Sequence, residues 1–255
     1  MPLRRHLAPA LVALAVAGAP LAASAQSFSN AQRGEIESII KNYLVTHPEI
    51  LEEASAELSK RHAAAEAEKH TKAVTQNAQT IFHSPRGVTL GNPKGDVNFV
   101  EFFDYNCGYC KHAMADMLAL LKSDPKLRVV LKEFPVLGPG SVEAAQVAVA
   151  VRMQDPDGQK YLAFHQKLLG SRGQANKARA MAAAKDAGLD MTRLAKDMNS
   201  PEVRATIEEN FKLAESMGMN GTPSYVIGKQ VVIGAVGLEA LKEKIGMARC
   251  GKADC

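Results

Sequence analysis

Two cysteines, Cys107 and Cys110, stand between a strongly apolar segment at 97–105 and an amphipathic segment at 111–121. These segments predict a buried β-strand followed by an α-helix, which places the cysteines at the N-terminus of that helix. Unpaired backbone N–H groups and the positive end of the helix dipole stabilise a thiolate there and make the sulfur nucleophilic near neutral pH. We therefore predict a redox-active disulfide, with Cys107 as the attacking thiol and Cys110, about one turn further along, as the resolving thiol.

The C-x₂-C spacing also occurs in zinc sites, in which Cys250 and Cys255 would supply the other two ligands. The strand-to-helix context of the first pair and the C-x₄-C spacing of the last pair both oppose zinc. We expect no metal and no cofactor, and we predict that Cys250 and Cys255 form a structural disulfide that fixes the tail. A disulfide around so short a loop contributes at most about 2–3 kcal/mol.

The first 25 residues have the pattern of a cleaved signal peptide: Arg4 and Arg5, an apolar run at 7–22, and Ala-Ser-Ala at 23–25. The alternative is a retained membrane anchor, although the apolar run is short for a bilayer span. Export to the periplasm fits an even number of cysteines, because disulfides persist there. Cleavage removes two arginines and lowers the formal charge from +4 to +2, which does not indicate a nucleic-acid partner.

Residues 26–83 predict a helical N-terminal region. Apolar residues at positions 36, 39, 40, 43 and 44 recur on one helical face after a capping box at Ser29 and Gln32. A second capping box at Thr46 and Glu49 predicts a long, alanine-rich helix over 48–82. Such a thin helix buries little surface alone. We expect this region to assemble copies of the chain, and the alternative is an arm folded back on its own domain.

Residues 84–255 predict an α/β domain that is interrupted by a helical subdomain at about 141–217. Gly-Thr-Pro at 221–223 directly precedes a returning strand, where a proline needs an explanation. A cis bond between Thr222 and Pro223 would turn the Thr222 backbone toward the cysteines, and an ordinary trans turn is the alternative. The predicted strands are 88–90, 97–105, 127–134, 224–227 and 230–233, and a closing helix follows at 238–247.

Two charged residues lie in the predicted core strands. Glu101 interrupts an apolar run, and a buried carboxylate is costly unless it is paired. Lys132 ends the apolar run of the neighbouring strand. We predict that the two side chains meet beneath the cysteines and move protons to and from Cys110. The alternative is that both lie at exposed strand positions.

The sequence resembles the DsbA family of disulfide oxidoreductases in three stretches, at 101–111, 132–135 and 221–225, and the likeness extends over about 88–249. The resemblance implies a thioredoxin fold with an inserted helical subdomain. It also implies the following site residues: Cys107 as nucleophile, Thr222 and Pro223 as a cis-proline loop, Glu101 as the buried acid and Lys132 as the strand lysine. The intervening dipeptide is Gly-Tyr where strongly oxidising members carry Pro-His, so we expect a potential between about −120 and −200 mV.

The N-terminal region resembles that of the ScsC-like subgroup, whose members oligomerise through these helices and are linked to disulfide isomerisation and copper tolerance. The expected partners are unfolded or wrongly disulfide-bonded secreted proteins and a membrane redox partner. An alternative function is Cu(I) binding by the same thiols, with Met217 and Met219 nearby in sequence. A further alternative is an envelope scaffold assembled by its N-terminal helices.

Overall fold

The computed structural model describes residues 28–255. The signal peptide predicted at 1–25 lies outside these residues. The chain divides into two compact units, one ending at Leu58 and the other running from Ser59 to Cys255. None of the helices within the described range has the length and apolarity that a membrane span requires.

The first unit contains helix α1 (Asn30–Thr46) and the beginning of α2 (Glu49–Gln76). The predicted capping box starts α1: the Ser29 hydroxyl accepts from the Gln32 backbone N–H, and the Gln32 side chain accepts from the Ser29 backbone N–H. No residue of α1 is buried. Its apolar face is therefore open to solvent in the single chain.

The second predicted capping box is wrong. Thr46 is the last residue of α1, and its hydroxyl donates to the backbone carbonyl of Asn42 at 2.7 Å instead of capping the next helix. His47 then leaves the helical conformation, and its Nδ1 lies 3.1 Å from Oε1 of Glu49 in the first turn of α2. A threonine side chain near a helix end can hydrogen-bond to backbone groups of the preceding turn or of the following turn. Here it bonds to the carbonyl of the preceding turn.

The long helix predicted over 48–82 is interrupted at Asn77, so that α3 (Ala78–His83) is a separate element. The Asn77 amide donates to the backbone carbonyl of Ala73 at 2.9 Å, and the Asn77 backbone departs from helical values with φ −104° and ψ 9°. An asparagine side chain that bonds its own helix offers the backbone an alternative to the regular ladder.

The second unit begins earlier than the boundary predicted at residues 83 and 84. Val74 near the end of α2 and Ile81 in α3 are buried together with Val100 and Phe102 from the sheet. These apolar contacts explain why the compact unit includes the last part of the predicted N-terminal region.

A five-stranded mixed sheet forms the centre of the second unit, in the order β1-β3-β2-β4-β5. Only β2 and β3 run parallel, and the other neighbours are antiparallel. The central strands are apolar along almost their whole length because both faces of the sheet are covered. The strands are β1 (Val88–Gly91), β2 (Val97–Phe103), β3 (Leu127–Glu133), β4 (Ser224–Ile227) and β5 (Gln230–Ile233).

Seven further helices complete this unit, and five of them, α5 to α9, form the inserted helical subdomain between β3 and β4. Helices α4 and α10 cover one face of the sheet together with α5 and α6, whereas α3 and α9 cover the other face. The predicted α/β class with a helical insertion is confirmed. The helices are α4 (Gly108–Ser123), α5 (Pro139–Gln154), α6 (Gln159–Leu169), α7 (Lys177–Asp186), α8 (Met191–Asp197), α9 (Pro201–Ser216) and α10 (Leu238–Cys250).

Candidate functional site

Cys107 is the N-cap residue of α4. Its Sγ accepts a hydrogen bond from the backbone N–H of Cys110 at 3.3 Å, so the sulfur takes the place of the usual capping oxygen. The backbone N–H of Cys107 donates to the Asp104 carbonyl at 3.1 Å, and this bond fixes the turn between β2 and α4. Both cysteines are free thiols in this structure, with relative exposures of 5% for Cys107 and 0% for Cys110.

The loop before β4 closes the other side of Cys107. The peptide bond between Thr222 and Pro223 is cis. The Cys107 thiol donates to the backbone carbonyl of Thr222 at 3.1 Å. The sulfur therefore lies between the first turn of α4 and this loop.

The surroundings drive the pKa values of the two thiols apart. The hydrogen bond with the Cys110 thiol and the backbone N–H groups of Tyr109 and Cys110 lower the pKa of Cys107 to about 6. The same thiol–thiol hydrogen bond, followed by burial, raises the pKa of Cys110 well above its ordinary value. At neutral pH the thiolate is therefore favoured on Cys107 and the proton on Cys110.

Glu101 lies in β2 with only 3% of its surface exposed. In the sheet register it stands between Leu131 of β3 and Tyr225 of β4. Burial, and then the negative charges of Cys107 and Asp116, raise the pKa of the Glu101 carboxyl to about 8. A carboxyl with this pKa is protonated at neutral pH and is suited to exchanging a proton with a nearby thiol.

The predicted Glu101–Lys132 pair does not form. Lys132 stands opposite Phe102 in the parallel register, so its side chain points to the sheet face opposite Glu101. Its Nζ is fully buried, has no hydrogen-bond partner, and lies 3.8 Å from Oε1 of Glu209 on α9. Burial lowers the pKa of Lys132 to about 8. The structure therefore does not place Lys132 with the cysteines.

Replacing Lys132 with methionine is expected to stabilise the fold by about 1–3 kcal/mol at pH 7, because it removes a buried ammonium. Glu209 keeps its 2.9 Å ion pair with Arg86. The folded pKa of Lys132 lies below the ordinary value of 10.5, so wild-type stability rises between about pH 8 and 10.5. The difference in free energy of unfolding between the variant and the wild type should therefore decrease over that pH range. Urea unfolding measures this difference.

The control for this prediction is Lys212→Met, at an exposed position of α9, which should leave stability nearly unchanged. Disulfide exchange should proceed at the wild-type rate in both variants. A destabilised Lys132→Met protein would contradict the predicted cost of the buried ammonium, and a loss of exchange activity would contradict the placement of this lysine away from the site.

Asp104 and Asn106 hold the site together, although the sequence did not single them out. The buried Asp104 carboxylate accepts from three backbone N–H groups, those of Asn106 (2.7 Å), Val136 (2.8 Å) and Leu137 (2.9 Å). The Asn106 amide donates to the hydroxyl of Ser141 at 2.9 Å. The only sequence signal was a polar pair between a buried strand and the cysteines.

A second buried polar cluster lies between the sheet and the helical subdomain. The Tyr161 hydroxyl donates to Oε1 of Glu133 at 2.6 Å, and the Tyr105 hydroxyl lies 3.4 Å from both Tyr161 and His165. Burial lowers the pKa of His165 to about 3, so its ring is neutral. His165 is thus a packed residue of helix α6.

The C-terminal cysteines are remote from the site. Cys250 and Cys255 are joined by a disulfide at the end of α10. Arg249 beside them forms 2.8 Å ion pairs with Asp96 and with Asp124, the C-cap residue of α4. Cys107 lies at the N-terminus of α4, the end opposite Asp124. A helix of 16 residues with a rise of 1.5 Å per residue is about 24 Å long, so the terminal disulfide is far from the Cys107 sulfur.

Met217 and Met219 are core residues. Both are buried in the apolar cluster that also contains Val100 and Phe102. Within residues 28–255 there is no group of three or more His, Cys, Asp or Glu side chains arranged to hold a metal ion.

Taken together, the arrangement around Cys107 defines a dithiol protein of thioredoxin fold. The family model of the DSBA-like thioredoxin domain matches residues 99–246, more than half of the chain, and the chain belongs to this family. The model of the copper resistance protein ScsC N-terminal domain matches residues 32–65. The predicted resemblance to the DsbA family and its ScsC-like subgroup is confirmed.

Solved structures agree with this membership. A thioredoxin-like oxidoreductase from Silicibacter pomeroyi DSS-3 is 44% identical, with a TM-score of 0.64 over 67% of this chain and 96% of that one. A linker-deletion mutant of Proteus mirabilis ScsC is 27% identical, with a TM-score of 0.65 over 88% of this chain and 98% of that one. The thiol-disulfide exchange protein alpha-DsbA2 of Wolbachia pipientis is 28% identical, with a TM-score of 0.66 over 71% and 97%. The family is thus one of thiol–disulfide oxidoreductases.

Two curated relatives are Na⁺/H⁺ antiporters named NhaA. The protein of Salinispora arenicola is 25% identical over 163 residues, and that of Herminiimonas arsenicoxydans is 27% identical over 142 residues. These matches take in 63% and 54% of this chain but span only 24% and 21% of the antiporters' own length. They therefore concern a part of those proteins.

Proposed function

We propose that this protein is a periplasmic disulfide isomerase that exchanges disulfides with exported proteins through Cys107 and Cys110. The observation that carries the proposal is the position of the Cys107 sulfur at the N-terminus of α4. It accepts the Cys110 N–H there and contacts the Thr222 carbonyl. This position favours the thiolate on the cysteine that an incoming chain meets first.

In the proposed reaction the Cys107 thiolate attacks a client disulfide, forms a mixed disulfide and releases one client thiolate. That thiolate attacks another client disulfide, and the rearranged client finally displaces Cys107. When the client does not rearrange, the Cys110 thiol loses its proton and attacks the mixed disulfide, which releases a reduced client. A membrane redox partner then resets the Cys107–Cys110 pair.

Glu101 is the proposed acceptor of the Cys110 proton. Its carboxyl is buried on the sheet face covered by α4, and its pKa of about 8 is raised in part by the Cys107 charge. Formation of the mixed disulfide removes that charge and lowers the cost of ionising the carboxyl. Thr222 and Pro223 are the proposed contact for the client backbone, because the Thr222 carbonyl already lies beside the attacking sulfur.

Export through a signal peptide at 1–25 is part of the proposal. The pattern of two arginines, an apolar run and Ala-Ser-Ala supports it. A disulfide between Cys250 and Cys255, both exposed at the end of the chain, is also suited to an oxidising compartment.

Assembly of several copies through α1 is proposed as the basis of isomerisation. Ile39, Ile40 and Tyr43 on one face of α1 are 67%, 52% and 52% exposed, an apolar stripe of the kind that associates in water. Leu51 and Leu58 of α2 are further exposed apolar residues. Several thiol sites in one assembly would hold a misfolded client while its disulfides are exchanged.

Reactivation of scrambled ribonuclease tests the proposal, with the molar mass measured by light scattering on the same preparation. Wild-type protein is expected to be an oligomer and to reactivate the ribonuclease, and Cys107→Ala should remove the activity. The double variant Ile39→Lys/Tyr43→Lys should be monomeric and lose reactivation while still exchanging disulfides with a short peptide.

Ser38→Lys/Asn42→Lys is the matched control, because it adds the same charges at the same spacing on another face of α1. It should remain oligomeric and active. A monomeric wild type that rapidly oxidises reduced substrate, without reactivating scrambled ribonuclease, would make the protein a dithiol oxidase and would overturn the isomerase proposal.

A further inference from the structure

The loop between α6 and α7, residues 170–176, is fastened beside the cysteine motif at two points. Lys111, the residue after Cys110, donates from Nζ to the Ser171 carbonyl at 2.9 Å. Asn106, the residue before Cys107, accepts from the Ala175 N–H at 2.7 Å and donates to the Ala175 carbonyl at 3.1 Å. The loop therefore forms one wall of the entrance to Cys107.

This wall is basic. Residues 158–185 contain six Lys or Arg and no Asp or Glu. Arg172, Lys177 and Arg179 are all exposed. The Arg179 guanidinium donates to the Arg172 carbonyl and packs against Gly173, so both arginines lie at the loop rather than elsewhere on the subdomain.

Within the part of the chain that the structure describes, the charges on this wall form no ion pair with an acidic side chain. Among residues 28–255, the side-chain nitrogens of Arg172, Lys177 and Arg179 have no carboxylate oxygen within 4.0 Å. The nearby acid Glu143 accepts from the backbone N–H of Lys177 at 3.0 Å. Elsewhere in the same segment Lys167 does have a partner, because its Nζ lies 2.5 Å from Asp186.

Other exposed residues beside the cysteine motif differ in character. Tyr109, Val136 and Leu137 are 69%, 37% and 48% exposed, and none of them carries a charge. The Asp104 carboxylate holds the backbone of Val136 and Leu137 against the motif. A chain that reaches Cys107 therefore meets exposed apolar side chains near the motif as well as the basic wall.

We propose that the basic wall, formed by Lys111, Arg172, Lys177 and Arg179, selects client segments in which acidic residues flank the reacting cysteine. The inference rests on the proposed function and names its substrate class. A polypeptide is favoured over an anionic lipid because the group that meets Cys107 must supply a sulfur. Charges on the wall attract an acidic segment before contact, which raises the rate of encounter more than the final affinity.

Oxidised protein is mixed with three reduced peptides that each contain two cysteines and differ only in their four flanking residues, which are all Glu, all Gln or all Lys. Each peptide dithiol becomes a disulfide as the Cys107–Cys110 disulfide becomes a dithiol, so electrons and protons balance. At 50 mM salt the Glu peptide is expected to react about tenfold faster than the Lys peptide, and the ratio should fall toward one at 0.5 M salt.

The double variant Arg172→Gln/Lys177→Gln should lower the Glu-to-Lys rate ratio at least threefold. Lys185→Gln/Lys229→Gln, which removes the same charge from exposed positions outside the wall, should keep the wild-type ratio. Equal rates for the three peptides with wild-type protein would overturn the inference while leaving the proposed function intact. Failure of all three peptides to react would instead defeat the proposed function.

A vesicle experiment distinguishes a membrane role for the same residues. Wild-type protein should not sediment with phosphatidylglycerol vesicles at 0.15 M salt. Sedimentation that disappears in Arg172→Gln/Lys177→Gln, together with equal peptide rates, would assign the wall to a lipid surface and overturn the client inference.

Discussion

Replacing Cys110 with alanine is expected to abolish turnover and to leave client proteins covalently attached to Cys107. The variant loses the hydrogen bond between the two thiols, but it keeps the Cys110 backbone N–H that donates to the Cys107 sulfur at 3.3 Å, and this donor still favours a nucleophilic thiolate at the entrance. It lacks the buried thiol that attacks the mixed disulfide. Attack by the client's own thiols is then the remaining route of release, and clients with a single reactive disulfide stay bound.

The trapped complex is measured after acid quenching and alkylation, by non-reducing electrophoresis and intact mass. Wild-type protein should show almost no complex, whereas Cys110→Ala should convert most of its molecules. Cys107→Ala is the matched control and should trap nothing, since Cys110 is fully buried. If the complex forms through Cys110 in that control, the assignment of the attacking and resolving thiols is reversed.

Local sequence patterns predicted the parts of the fold that depend on local sequence. The apolar segment before Cys107 and the amphipathic segment after Cys110 became β2 and α4, which sets the nucleophile at a helix N-terminus. The segment at about 141–217, which was predicted to be a helical subdomain, likewise became α5 to α9. These elements follow from side-chain periodicity, which is a property of neighbouring residues.

Contacts that depend on strand register could not be predicted in this way. Glu101 and Lys132 each lie in an apolar strand, and only the pairing of Phe102 with Lys132 shows that they face opposite sides of the sheet. A shift of the register by one residue would have placed them together. The sequence contains no local signal for that choice.

The position of the basic wall could not be predicted from the sequence for a similar reason. Arg172 lies 62 residues after Cys110 in the chain. Its place at the entrance depends on hydrogen bonds from Asn106 and Lys111 to a distant loop. The absence of acidic residues in this segment was visible in the sequence, but its position relative to the thiols required the tertiary structure.

Replacing Glu101 with glutamine is expected to stabilise the reduced protein at alkaline pH and to slow the chemistry of Cys110. The folded pKa of Glu101 is about 8, above the ordinary value of 4.5. Between these values the folded state binds a proton that the unfolded state has lost, so wild-type stability falls as pH rises through this window. At about 1.36 kcal/mol per pH unit, the free energy of unfolding decreases by roughly 5 kcal/mol across this window.

Glutamine cannot ionise, so the free energy of unfolding of the variant should not decrease with pH in this way. We expect Glu101→Gln to be about 2–4 kcal/mol more stable than wild type at pH 8.5 and nearly equal to it at pH 5. The contribution of Cys107, whose pKa is lowered to about 6, rises with pH in both proteins and cancels in the difference. Without a carboxylate to accept the Cys110 proton, resolution of the mixed disulfide should slow about 10- to 100-fold.

Urea unfolding of the reduced proteins at pH 5 and 8.5 measures the first effect, and quenched-flow decay of a preformed mixed disulfide measures the second. Glu215→Gln, an exposed substitution on α9, is the control and should change neither. If Glu101→Gln gains stability but resolves at the wild-type rate, the carboxyl is buried without moving the Cys110 proton. If it slows resolution without gaining stability, the carboxylate is already ionised at neutral pH. Both effects together would mean that the fold tolerates a destabilising acid because the reaction of Cys110 needs it.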